Sequence, residues 1–402
     1  MTKRPSMGTL EFVVLFGLIN SLAALGIDAL LPAMRVLEGA MNVTEPNRIQ
    51  LVVSMFILGA VFGELVAGPL ADAYGRKIIV LSGLGIFFAG SIVSMMAVDL
   101  DQLLLGRIIQ GFGVSGPKIA SRAMIRDQFS GDAMARIMSF IFMVFILVPM
   151  IAPAIGQWAM NIAGWEAIFI MYLIMAGIGF LWLSIRQGET LLPEKRLPLS
   201  ASTIFRNVGL IIQNKRVMAY TISVGFVFGG IINYLGIAQA LFFDIYGIDQ
   251  QFPLYFAMLA GGIGLSLFAN SQLVMHFGMY RISIVAQLGL IVLSSALFAV
   301  TYITGQAPSL FIFMACGMGI FFCCGFLFGN LNSMAMNKVG RVAGLGASVV
   351  TSFSSIISVG IAYVLGLFYD QTIIPLLTGF LTGGVVGMAL LLLSNKFEDK
   401  DV

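Results

Sequence analysis

The chain has 402 residues, 59% of them apolar and 10% charged, with a formal net charge of +3, where a soluble domain has about 45–50% apolar and 25% charged residues. Water is excluded as its main solvent. No basic cluster with interleaved aromatics accompanies the positive charge, so a nucleic-acid partner is excluded as well.

A helix needs about 20 apolar residues to cross the hydrocarbon core of a bilayer. Such stretches predict spans at 11–34, 49–71, 78–98, 102–124, 136–161 and 165–186, then at 216–243, 252–275, 281–303, 308–334, 342–368 and 372–394. They mostly lack the polar stripe that marks the core helices of soluble proteins. The first stretch follows Lys3 and Arg4 as a signal peptide would. It is too long and has no small-residue cleavage pattern, so it is predicted to remain as span one. The expected fold class is an all-α integral membrane protein with twelve transmembrane helices.

Orientation follows from Lys and Arg. With the N-terminus inside, the inner pieces hold Lys3, Arg4, Arg76, Lys77, Arg126, Arg136, the Arg186 to Arg216 connection, Arg281, Lys338, Arg341, Lys396 and Lys400; the outer loops hold Arg35 and Arg48. The positive-inside rule then puts both termini in the cytoplasm. The most polar long stretch, Arg186 to Arg216, separates two sets of six spans. The predicted organisation is an N-terminal six-helix bundle over 1–186, a cytoplasmic linker over 187–215, and a C-terminal bundle over 216–402 ending in a short cytoplasmic tail. Asp72 and Gly75-Arg76-Lys77 follow the second span of the first half; His276, Gly278 and Arg281 follow the second span of the other. This degraded echo suits two related halves.

Ionisable groups inside spans cost about 2.5–3.5 kcal/mol each at a helix centre, so they carry the functional expectation. Four qualify: Asp28, Glu64, Arg107 and Lys118. Asn20, Ala24, Asp28 and Pro32 share one face of span one, a candidate cavity lining. A carboxyl there is deprived of water, which favours taking up a proton, while a neighbouring arginine favours releasing it. Two readings of Asp28 stand: proton or substrate coupling, or a static partner for a helix end. Glu64 lies about two turns, roughly 12 Å, before Asp72; it reads as a hydrogen-bonding tie between helices, or as a second proton site that attracts a cationic substrate. Gly59, Gly63, Ala67 and Ala71 mark a close-packing face of the same span.

Arg107 keeps its proton and needs a partner, for which Asp28 or Glu64 is the candidate. Lys118 reaches the cavity floor or snorkels to the inner surface. In span five, Pro149, Pro153 and Gly156 free backbone groups and bend the helix, as a flexing point or a fixed kink. Cys316, Cys323 and Cys324 lie in one apolar segment and read as packing residues. His276 has no ligand-spaced companions, so no metal site is expected. The second half offers only polar side chains, of which Asn233, Tyr234 and Asn330 are cavity candidates within an apolar, aromatic and methionine-rich wall.

The turn after span two resembles the signature of the major facilitator superfamily, Gly-x-Leu-Ala-Asp-x-x-Gly-Arg-Lys, through Gly68, Leu70, Ala71, Asp72, Gly75, Arg76 and Lys77. The resemblance implies two pseudo-symmetric six-helix bundles and makes Gly68, Asp72, Gly75, Arg76 and Lys77 a conformational latch between halves. Arg107, Gln110 and Gly111 match Arg-x-x-Gln-Gly, and Ala120-Ser121-Arg122 with Arg126-Asp127 is similar to the Ala-Arg…Arg-Asp pattern of the bicyclomycin-resistance-like branch of the drug:proton antiporters. Ala152-Pro153-Ala154-Ile155-Gly156 resembles the antiporter motif Gly-Pro-x-x-Gly, with alanine for its first glycine; Ala343 to Ser348 resembles that branch's Ala-Gly-Thr-Ala-Ser-Ala. Glu64 departs from the branch, which shows glutamine there.

The resemblance implies a proton-coupled antiporter that exports drugs or other small lipophilic molecules by alternating access, with Asp28, Glu64 and Arg107 in proton coupling and binding near the midplane between halves. Arg107 would tune a carboxylate between states, or form a fixed tie. Asn20, Asp28, Lys118, Asn233, Tyr234 and Asn330 are the expected substrate cavity. A transporter of one metabolite, such as a siderophore, sugar or nucleobase, is the alternative within transport; a non-transporting membrane receptor or scaffold is the alternative outside it. No enzyme is expected, since no Ser/His or paired-carboxylate signature is present. No cofactor is expected either: no Gly-x-x-x-x-Gly-Lys-Ser/Thr loop occurs, which leaves the proton gradient as energy source. The expected partners are a small-molecule substrate, protons and the lipid bilayer, with a monomer as the functional unit.

Overall fold

The computed structural model describes residues 7–129, 131–196, 208–336 and 343–396, with backbone alone for 131–146 and 343–347. Lys3, Arg4, Lys338, Arg341, Lys400 and linker positions 197–207 lie outside the described residues, as do the side chains of Arg136 and of Ala343 to Ala347. Every predicted span coincides with a helix of twenty residues or more. These are α1 (Thr9–Asp28), α2 (Leu51–Tyr74), α3 (Arg76–Met95), α4 (Leu100–Gln128), α5 (Gly131–Ala163) and α6 (Glu166–Arg186), followed by α7 (Lys215–Tyr246), α8 (Phe252–Phe277), α9 (Met279–Thr304), α10 (Leu310–Met336), α11 (Ala343–Leu367) and α12 (Ile374–Ser394). Ten helices among the described residues are long and apolar enough to cross a membrane by composition; α4 is not among them, because it carries the embedded charges, and α5 counts only as the shorter apolar stretch Leu147–Ala163.

The chain divides into two compact units, Met1–Thr44 with Met55–Ser200 and Glu45–Ser54 with Ala201–Val402. In the first, α4 packs against α2 and α3 through glycines. Lipid tails give apolar side chains no reason to prefer a neighbouring helix, so close backbone approach supplies the attraction instead. A Cβ added at Gly111 would overlap the Phe56 carbonyl, and one at Gly59 the Ile108 carbonyl, so α2 and α4 touch backbone to backbone. Gly106 and Gly113 do the same against Ser94 and Phe87 of α3. Asp99 caps α4 by accepting from the Gln102 N–H at 2.8 Å.

In the second unit α7 is the central helix. Gly225 and Gly229 seat Ile357 and Ile361 of α11, Gly230 seats Phe380 of α12, and the Ser358 hydroxyl donates to the Gly225 carbonyl at 2.8 Å. Asn214 caps α7 by accepting from the N–H groups of Arg216 and Val217, both at 3.1 Å. Glu45–Ser54 belong to this unit although they precede α2 and form its first turn: Asn47 donates its amide to the carbonyls of Leu367 at 3.3 Å and Tyr369 at 3.0 Å. The α2–α3 and α8–α9 turns share one backbone form, with Gly75 at φ 119°, ψ 151° and Gly278 at φ 76°, ψ 153°, a region that L side chains rarely adopt. The degraded echo between the halves is thus conserved in backbone where side chains have drifted.

Gly111→Val is expected to lower the thermal midpoint of the purified protein in detergent, since overpacking costs about 1–3 kcal/mol. Gly85→Ala, whose new methyl would meet nothing within 4 Å, is expected to leave the midpoint unchanged or raise it slightly. Equal melting of the two variants would refute the glycine-mediated contact.

Candidate functional site

Helix α1 ends at Asp28, because Pro32, in the 3-10 turn Leu31–Ala33, prevents its continuation. The Asp28 side chain is buried, 6% exposed, and accepts no hydrogen bond from any described residue. Beside it α5 approaches so closely that a Cβ on Gly156 would overlap the Ala29 carbonyl. Pro149 and Pro153 lie inside that helix, and its Gly156 bears on the shoulder of α1 that carries Asp28.

Arg107 is fully buried, 0% exposed. Its Nη2 donates to the Gly26 carbonyl at 2.5 Å, its Nη1 donates to Gln110 Oε1 at 2.8 Å, and the guanidinium lies 4.4 Å from the centre of the Phe56 ring. Gln110 passes the chain on by donating to the Ser91 hydroxyl at 2.8 Å, which donates to the Phe87 carbonyl at 2.8 Å. A carbonyl, an amide oxygen and an aromatic face thus disperse a charge that cannot be removed. The sequence alone did not single out Tyr172 of α6, which is fully buried and donates its hydroxyl to the Leu25 carbonyl at 2.8 Å. Nothing in local spacing marks it, because the contact joins α6 to the end of α1.

The structure joins Glu64 and Lys118, which sequence reading did not pair: Nζ donates to Glu64 Oε1 at 2.5 Å, with Glu64 3% and the Lys118 side chain 27% exposed, so Glu64 ties α2 to α4. The pair explains why a glutamate is tolerated in α2, since an unpaired charge at that depth would be costly. It also takes Glu64 as the expected partner of Arg107. Asn20 ties α1 to α4 by donating to Ser121 Oγ at 3.1 Å and to the Phe16 carbonyl at 2.8 Å.

The charged turn is built around a carboxylate that sequence reading missed. Glu189, three residues beyond α6, accepts from the Arg76 N–H at 3.0 Å and the Lys77 N–H at 3.1 Å, capping the positive N-terminus of α3. A Cβ on Gly75 would strike that carboxylate, so only glycine fits. The Arg76 guanidinium bonds Asp72 and also Asp127 at 3.4 Å, while Lys77 Nζ donates to the Ser184 carbonyl at 2.7 Å. Gly68, half-buried, precedes Pro69 within α2. All of these contacts lie within the first unit.

In the second unit Asn330 is closed into a reciprocal amide pair with Asn270, at 2.9 and 3.1 Å. Tyr234 stacks on Phe256 at 5.9 Å and meets Phe321 edge-on at 5.0 Å, beside an apolar cavity that Leu259, Phe313 and Phe380 also line. Asn233, the preceding residue, is buried with neither amide atom hydrogen-bonded among the described residues. An amide left open in this way is available to a ligand or a water.

The family profile described as Major Facilitator Superfamily matches residues 16–362. The chain is similar to the uncharacterized MFS-type transporter YdgK of Bacillus subtilis (strain 168), 26% identical over 391 residues, 94% of each protein. It is 30% identical over 286 residues to a bicyclomycin resistance protein homolog of Haemophilus influenzae (strain ATCC 51907 / DSM 11121 / KW20 / Rd), covering 69% of this chain and 71% of that one. In fold it is similar to a D-xylose-proton symporter, with a TM-score of 0.75 at 16% identity over 98% of this chain and 99% of the other.

Lys118→Met is expected to destabilise the protein by about 1–3 kcal/mol, because it strands a buried carboxylate. Adding Glu64→Gln should recover most of that loss in thermal melts, and strictly additive effects would argue against the pair. Glu189→Ala removes the cap of α3 and is expected to cost about 0.5–2 kcal/mol, seen as earlier proteolysis of the 187–196 segment.

Proposed function

The chain belongs to the Major Facilitator Superfamily, and on that premise we propose that it is a proton-coupled antiporter exporting drugs or other small lipophilic organic molecules. It is a multi-pass membrane transporter and not an enzyme. The observation that carries the proton reading is Asp28: a buried carboxyl at a helix break, with no donor among the described residues, two positions from the carbonyl that holds Arg107. A carboxyl so placed is stable only with its proton on. Were Arg107 to leave the Gly26 carbonyl for Asp28, the carboxylate would gain a counter-ion and its proton would pass to water. Tyr172 and Gln110 hold Arg107 and α1 in register for that exchange.

Helix α5 provides the mechanical link in this reading. Its contact at Ala29 makes any change in the Pro149–Gly156 bend bear on Asp28, so access and proton binding would change together. The open amide of Asn233 and the aromatic wall around Tyr234 would contact the cargo, with specificity set by shape more than by charge. The name of the Haemophilus influenzae relative supports drugs as cargo. The bacterial relatives and the Lys and Arg distribution favour an inner membrane with both termini cytoplasmic. The proton gradient would supply the energy without any cofactor.

Proteoliposomes with an imposed pH gradient and a panel of lipophilic compounds, bicyclomycin included, test the proposal. Several compounds are expected to accumulate uphill; acceptance of a single compound would defeat the multidrug reading. Asp28→Asn should abolish uphill accumulation and substrate-induced proton release while exchange of compound down its own gradient persists. Glu64→Gln should retain both. Uphill pumping by Asp28→Asn would overturn the assignment of the proton to that residue.

A further inference from the structure

Lys118, Arg122 and Arg126 follow one another at four-residue steps and so share one face of α4. They run inward from near the end of the helix at Gln128 over about 12 Å. Asp127 does not neutralise this face, since it serves Arg76 and the Thr190 hydroxyl. The carboxylate that faces it from α2 is Glu64, which pairs with Lys118. Among the described residues Arg122 has no ion-pair partner within 4 Å, so the local balance of Lys118 and Arg122 against Glu64 is +2 − 1 = +1.

Burial sorts these charges by sign. Glu64 is hidden, Lys118 is partly open, and Arg122 and Arg126 are exposed. Arg122 lies six residues, about 9 Å, from the helix end at Gln128, and an exposed guanidinium there is costly against lipid, so this face of α4 borders water. A ligand arriving through that water meets the cations, and the carboxylate lies behind them. A cationic ligand would have to displace Lys118 to reach Glu64, whereas an anionic one needs no rearrangement. The guanidinium of Arg122 presents the forked donor geometry that a carboxylate accepts.

We infer that the Lys118–Arg122 face of α4 is an anion subsite that binds the carboxylate of an amphipathic organic acid, an inference that rests on the export reading only in treating that acid as cargo. Arg122 supplies the two-point contact. Lys118 shares its charge between Glu64 and the ligand, and Arg126 draws the anion toward the site. Aromatic or aliphatic acids, rather than quaternary amines, are then the favoured compounds.

The test is equilibrium binding to the purified full-length protein in nanodiscs of zwitterionic lipid, by calorimetry, with naphthaleneacetate, its uncharged methyl ester and naphthylmethylammonium as probes. Naphthaleneacetate is expected to bind tightest. Arg122→Gln should weaken it about fivefold with the ester unaffected, and Arg122→Lys should restore part of the loss. Glu64→Gln should strengthen it by releasing Lys118. Equal affinity for the three probes, preference for the ammonium, or no effect of Arg122→Gln in a variant that melts normally would each overturn the inference. So would loss of the preference when phosphatidylglycerol is added, which would assign the face to lipid headgroups. Binding is read without a pH gradient, so a failure of proton coupling in the transport assay and a failure of the anion subsite in calorimetry give different results.

Discussion

A guanidinium that cannot give up its proton lies fully buried in α4, and the interior of the first unit is organised around keeping it there. Leaving such a charge without partners would cost several kcal/mol, more than any single packing contact returns. The partners supplied are mostly neutral: the Gly26 carbonyl, the Gln110 amide and the Phe56 ring. Neutral partners have a mechanical advantage over a carboxylate. They hold the cation without a deep electrostatic well, so it can exchange partners at modest cost. The Gly26 carbonyl is available because α1 stops two residues later, and α1 stops because Pro32 follows.

The same economy explains the glycines. α4 can bring Arg107 to Gly26 only if it lies close to its neighbours, and it does so by backbone contact at Gly106, Gly111 and Gly113. Side chains at these positions would force α4 away from its neighbours. Packing and site geometry are therefore one constraint, so that a substitution in the glycine seam is also a substitution in the charge network.

What could be read from the residues divides along contact range. The twelve spans and the Gly75 turn are local signals of hydropathy and backbone freedom, and each is found where the sequence placed it; the end of α1 at Asp28, short of the predicted span 11–34, is not, since the reading carried one helix face on to Pro32. The partners were not legible. Glu64 and Lys118 are 54 positions apart, and Arg76 and Glu189 are 113 apart. No periodicity connects them, and charge alone allowed Arg107 to be assigned to Glu64 just as readily. Tyr172 was invisible for another reason: in an apolar helix a tyrosine reads as wall until its hydroxyl is seen to reach the Leu25 carbonyl. Asn330 went the other way, since its reciprocal bond with Asn270 turns a cavity candidate into a helix tie.

The asymmetry between the units follows from the cost of charge in oil. Each embedded ion in the first unit needs compensation, and compensation rigidifies: Glu64 with Lys118 ties α2 to α4, and Arg107 with the Gly26 carbonyl ties α1 to α4. Among the described residues the second unit has no embedded charge to compensate, so its polar residues can remain open. Asn233 and Gln287 are each buried with both amide atoms unsatisfied among the described residues. An open amide costs far less than an open charge, and it can be closed by many different ligands. On the proposed function, a rigid ionic unit would suit a single invariant passenger, the proton, whereas a neutral unit with spare hydrogen-bonding capacity and aromatic walls would suit cargo that varies.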